Sequence, residues 1–100
     1  MTKISILKEV TPDGGRYLAT VEDRDGEAEL TFARRAPDLI SADHTGAPDA
    51  LRGTGAALAL VQHMVEDARR SGFKILAVCP YVVVQLKRHP EWGDVMMADA

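Results

Sequence analysis

The feature that most constrains this chain is a change of hydrophobic period near its middle. Before Arg52-Gly53-Thr54-Gly55-Ala56-Ala57, apolar residues alternate with polar ones. After it, they recur at i, i+3, i+4 and i+7. A period of two buries one face of a strand, and a period of 3.6 buries one stripe of a helix. The chain therefore folds as strands first and helices second, with the glycine segment at the join.

The first half reads as an antiparallel meander. Ile4 to Val10 predicts a strand with Ile4 and Ile6 on one face. Thr11-Pro12-Asp13-Gly14-Gly15 is a turn, followed by alternation from Arg16 to Glu22 with Tyr17, Ala19 and Val21 on one side. Asp23-Arg24-Asp25-Gly26 is the next turn. Glu27 to Arg35 then places Ala28, Leu30 and Phe32 inward, and Glu27, Glu29 and Thr31 outward. Past Ala36-Pro37-Asp38, Leu39 to Thr45 predicts a fourth strand with Ile40, Ala42 and His44 on one face. Connections this short favour sequential pairing.

In the second half, Ala57, Leu60, Val61, Met64, Val65 and Ala68 form the apolar stripe of a helix over Thr54 to Ser71. Gln62, His63, Glu66, Asp67, Arg69 and Arg70 fill the other face. Arg69 and Arg70 complement the C-terminal dipole, and Gly72 is a natural stop. Lys74 to Val78 is a short apolar run that predicts a buried strand. Pro80 suits the first position of a second helix over Tyr81 to Arg88, and Pro90 ends it. Val82-Val83-Val84 is poor helix material, so a strand competes there. A helix between strands four and five lets those two run parallel. The fold class is α+β, or α/β by looser usage, with a mixed, mainly antiparallel sheet in the order β-β-β-β-α-β-α.

Composition narrows the function classes. One hundred residues, 46% of them hydrophobic and 27% charged, suit one small globular domain over residues 1–100. A net charge of −3 and five aromatic residues argue against nucleic acid as partner. With no long apolar run and no secretory leader, the reading is a cytoplasmic protein without a membrane partner. The lone Cys79 forms no internal disulfide, so it is packing or chemistry. His44, His63 and His89 show no metal spacing, and no metal is expected.

Glycines ahead of a helix leave backbone N–H groups free, with the positive end of the helix dipole behind them. A phosphate-bearing cofactor is one reading of Gly53 and Gly55. The other is that they only turn the chain into the helix.

The segment Arg52 to Ala57 resembles the Arg/Gln-x-x-Gly-x-Gly/Ala signature of the GNAT superfamily of acyl-CoA-dependent N-acyltransferases, and it stands where they carry it. With His44-Thr45-x-x-Pro48, Lys74-Ile75, Cys79-Pro80-Tyr81-Val82 and Arg88-His89-Pro90-Glu91-Trp92, the chain looks like the short, single-domain GNAT-like acetyltransferases. The resemblance covers Ile40 to Trp92 in specific residues and the whole chain in element order.

The resemblance implies an acetyl-CoA-dependent N-acetyltransferase moving an acetyl group to an amine, on a small molecule or a protein. It places the pyrophosphate of acetyl-CoA or CoA on Arg52, Gly53, Thr54, Gly55, Ala56 and Ala57, near Thr45, and the pantetheine between splayed strands four and five. Cys79 would face the thioester, as nucleophile or as a group positioning the acceptor. Its place before a helix N-terminus favours a thiolate, and the alternative is a buried structural cysteine. His44 would be a general base, or a histidine pinning the loop to Pro48. Tyr81 would protonate the departing CoA thiolate, or pack half-buried. His63 reads as solvated, His89 as a helix cap or nucleotide contact, and Trp92 as a lid over the core. A non-catalytic CoA-binding module or an interaction domain is the competing class. Larger relatives carry further strands after the position of Trp92. Here Val95-Met96-Met97-Ala98 gives one short strand or a tail, which predicts an open acceptor site.

Overall fold

The computed structural model describes residues 3–98. Strands β1 (Ile4–Thr11), β2 (Gly14–Val21), β3 (Ala28–Ala36) and β4 (Leu39–Gly46) form the antiparallel meander. Helix α1 (Ala56–Ser71) leads to β5 (Lys74–Ala77), and α2 (Pro80–Arg88) leads to β6 (Met96–Ala98). One sheet holds all six strands in chain order, with β4–β5 and β5–β6 parallel. The last segment is thus a strand, which resolves the choice left open at Val95 to Ala98. A single 3-10 turn, Pro90–Asp94, joins α2 to it.

Both parallel connections advance the sheet in the same direction. Right-handed crossovers therefore set α1 and α2 on one face. Cross-strand register carries that face across the sheet: Tyr17 and Leu30 pair, Phe32 pairs with Ala42, Ala42 with Ala77, and Ile40 with Ile75. These residues are buried, as are Leu60, Val61, Met64 and Val65 of α1 and Val82 of α2. The opposite face carries Leu7 and Met97, 60% and 56% exposed, and no described helix covers it.

Val82 to Val84 are helical despite their β-branching. Pro80 starts the helix with its fixed φ, and full burial of Val82 outweighs a propensity loss of about 0.5 kcal/mol per residue. Helix α1 begins at Ala56, two residues later than the sequence pattern predicts, because Gly55 takes a left-handed conformation.

Asp67 departs from its expected place on the polar face. It is 7% exposed and lies under β2. The Tyr17 hydroxyl donates to Asp67 Oδ2 at 2.7 Å, and Lys8 Nζ donates to the same oxygen at 2.6 Å. Ser71 Oγ donates to Oδ1 at 3.3 Å. Burial pushes the Asp67 carboxyl up, but the Lys8 and Tyr17 bonds outweigh it and hold the acid below its usual range. Burial, then the Asp67 bond, pushes the Tyr17 phenol above its ordinary value. His63 is likewise half-buried, with its ring edge-on to Tyr17 at 5.6 Å, rather than simply solvated.

Candidate active site

The parallel ladder between β4 and β5 ends at the pair Ala42–Ala77. Beyond it the Val78 and Cys79 N–H groups both donate to the Ala42 carbonyl, at 3.1 and 2.9 Å. Strand β4 continues to Gly46 paired with β3 alone. The two strands therefore diverge, and the β5-facing backbone of β4 from Asp43 to Gly46 is left without a strand partner. Extended groups placed in that opening can take up these donors and acceptors.

Cys79 stands at the head of the opening as the N-cap of α2. It is 5% exposed, and its thiol donates to Thr45 Oγ1 across the gap at 3.6 Å. Burial pushes the thiol up. Once ionised, the sulfur accepts from the Thr45 hydroxyl and from the backbone N–H groups of Val82 and Tyr81, which more than offsets burial, so the group sits below its ordinary range. Tyr81 is half-buried on the first turn of the same helix. Burial raises its phenol, with Arg88 opposing, so it stays protonated at neutral pH.

His44 does not join this cluster. A β-bulge intervenes, because Phe32 pairs with Ala42 whereas Thr31 pairs with His44, leaving Asp43 as the extra residue. Simple alternation put His44 with Ile40 and Ala42. The bulge instead turns it to the uncovered face, exposed, with its Nε2 toward Gly46. The same bulge brings Thr45 onto the Leu30 face, where it meets Cys79. His44 makes no hydrogen bond among the described residues that would pin the loop.

The glycine segment forms the other end of the site. Gly53 and Gly55 have φ of 79° and 84°, a region that side-chain-bearing residues enter at a cost. A Cβ at either would meet no atom within 4 Å. The glycines thus satisfy a backbone requirement, and they also leave open space beside the chain. Thr54 Oγ1 accepts from the Ala56 N–H at 3.3 Å, and the Ala59 N–H donates to the Gly55 carbonyl. The N–H groups of Gly53, Gly55, Ala57 and Leu58 find no acceptor among the described residues. No acidic residue lies in the first turn of α1, and its N-cap, Gly55, has no side chain to cap it. Free N–H groups at a helix N-terminus with no acid beside them suit an anion. The Arg52 side chain is exposed and pairs with Asp49 at 3.0 Å. Across the loop, Arg24 Nη1 donates to the Ala50 carbonyl at 3.0 Å and ties the β2–β3 turn to this segment.

His89 closes α2, its N–H donating to the Gln85 and Leu86 carbonyls. Its ring stacks on Trp92 at 4.2 Å, and Trp92 is 6% exposed over the core. The sequence pattern missed two features of the site: the Asp43 bulge and the free donor on Leu58. Neither has a residue-type signal.

No curated protein matches the chain. Residues 16–95 match the family model of the GCN5-related N-acetyl-transferases. The chain is also similar to a protein from Staphylococcus aureus, described as a GCN5-like N-acetyltransferase, whose solution NMR structure is known. That similarity has a TM-score of 0.69 at 26% identity, over 94% of this chain and 90% of that one.

Proposed function

Starting from a chain that belongs to the GCN5-related N-acetyltransferase family, we propose that it transfers an acetyl group from acetyl-CoA to an amine, and that Cys79 takes up the acetyl group on the way. The observation that carries this reading is the Cys79–Thr45 pair at the head of the β4–β5 opening.

The free N–H groups at Gly53, Gly55, Ala57 and Leu58 suit the pyrophosphate of CoA. The unpaired edge of Asp43 to Gly46 suits the amides of its pantetheine arm, which would bring the thioester to Cys79. The Cys79 sulfur attacks the thioester carbonyl, a bond forms from sulfur to acetyl carbon, and the carbon–sulfur bond to CoA breaks. Tyr81, protonated at neutral pH, supplies a proton to the CoA thiolate. An amine then attacks the S-acetyl group, Cys79 leaves as the thiolate, and the proton lost from the new amide nitrogen restores the Tyr81 phenol. His44 lies on the uncovered face and takes the proton from an acceptor ammonium approaching there. That open face leaves room for an amine on a small molecule or on a protein. A cytoplasmic setting belongs to the same reading.

Intact mass after incubation with acetyl-CoA, without acceptor, tests it. One added acetyl group, absent in Cys79→Ala, is the expected result. Turnover with an amine but no acyl-enzyme would mean direct transfer. No CoA binding at all would reduce the domain to an interaction module.

A further inference from the structure

A cleft remote from the β4–β5 opening lies where the end of β1, the end of β3 and the start of β4 meet the residues after α1. It is small, about 80 Å³, and partly open to solvent. Val10, Phe32, Ile40 and Phe73 wall it, and Lys8 and Arg34 stand on its lining. Phe73 follows the C-terminus of α1, whereas the glycine segment precedes its N-terminus. A helix of 16 residues separates them by roughly 24 Å.

Three observations bear on what this cleft takes. Its walls are apolar and not fully covered: Val10 is 59% exposed, although register with Gly15 and Phe32 puts it on the helix face of the sheet. Arg34 pairs with Ile40, so its side chain also rises from that face, beyond the end of α1. No carboxylate among the described residues lies within ion-pairing distance of the Arg34 guanidinium. Lys8 is committed differently. Its ammonium is held by Asp67 at 2.6 Å and sits 5.4–5.8 Å from the centroids of Tyr17, Phe32 and Phe73. The cleft therefore combines aromatic and aliphatic walls, one neutralised cation at the wall, and one cation at the rim with its donors free.

We propose that this cleft binds a small organic carboxylate with a flat apolar tail, the tail against Phe32, Phe73, Ile40 and Val10 and the carboxylate on Arg34. A guanidinium offers a carboxylate two parallel N–H donors, which orients the anion as well as attracting it. Free phosphate or acetate would leave the apolar walls uncovered, and a neutral tail alone would leave Arg34 unpaired. Both elements are needed for more than weak association.

The test is a ¹⁵N NMR titration with phenylacetate, run beside acetate and 2-phenylethanol, on the parent and Arg34→Gln. Arg34 is exposed, so its replacement leaves the fold in place. The expected result is saturable shifts at Val10, Phe32, Arg34, Ile40 and Phe73, with a Kd on the order of 1 mM. Arg34→Gln should weaken binding about tenfold, as loss of a charge-assisted pair implies. Acetate and 2-phenylethanol should produce no saturable shift at these positions. The proposal is overturned if phenylacetate shifts do not saturate, if 2-phenylethanol binds equally well, or if Arg34→Gln binds like the parent. Shifts confined to Thr45 and Gly53 to Ala57 would overturn it too, since they would place the ligand in the acyl-transfer site.

Discussion

The thiol of Cys79 lies 3.6 Å from the hydroxyl of Thr45, although the two are 34 positions apart in the chain. The contact exists because a bulge rotates Thr45 toward the face on which α2 begins. It bridges two strands just past their last shared hydrogen bonds.

This contact sets an expected pH profile. The rate of S-acetylation follows the thiolate fraction. Because the folded thiol sits below its ordinary value of 9.0, the rate should rise with pH and level off below that point. Thr45→Val removes the largest of the stabilising contacts and should move the midpoint upward. Cys79→Ala should reduce transfer by about two orders of magnitude or more, with CoA affinity nearly unchanged. Stopped-flow release of CoA thiol across a pH series measures both. An unchanged midpoint in Thr45→Val would contradict the account.

Asp67 should matter for stability rather than turnover. Asp67→Asn removes the anion from Lys8, whose side chain is about a third exposed, and should cost about 1–2 kcal/mol by urea unfolding. Tyr17→Phe should cost about 1–2 kcal/mol. The folded Asp67 carboxyl titrates below its ordinary 3.8, so its contribution is complete above that value. It is lost as pH falls through the lower folded value. The stability gap between parent and Asp67→Asn should therefore be constant near neutrality and narrow in acid below about pH 4.

Much of this fold could be read from the residues. Tyr17, Ala19 and Val21, like Ala28, Leu30 and Phe32, alternate because one face meets a helix and the other does not. Pro80 marked α2 against the propensity of three valines, and the glycine segment marked the start of α1. His44 was misplaced because a bulge inserts one residue without any composition signal, and every side chain after it changes face. Asp67 was misplaced although a signal existed. Leu60, Met64 and Asp67 stand at i, i+4 and i+7, so the carboxylate lies on the apolar stripe and needed buried donors. Strand β6 has three residues, too few to show a period.

Acceptor choice should be broad. The face carrying His44 has no covering helix among the described residues, and β6 extends the sheet without walling the opening. Selectivity needs enclosing contacts. Competing small primary amines should therefore differ little in kcat/KM. A preference of several orders of magnitude for one of them would show that the site is enclosed by something else.

The central claim is that the free N–H groups at the N-terminus of α1 bind the phosphates of acetyl-CoA, and Ala57→Glu tests it most directly. A carboxylate in the first turn of a helix that has none should stabilise the helix by about 0.3–1 kcal/mol. The same charge occupies the anion site and repels a pyrophosphate. Isothermal titration calorimetry with CoA should show binding to the parent and at least about tenfold weaker binding to Ala57→Glu, at an equal or higher Tm. Equal affinity in parent and variant, or no heat of binding in the parent, would contradict the account.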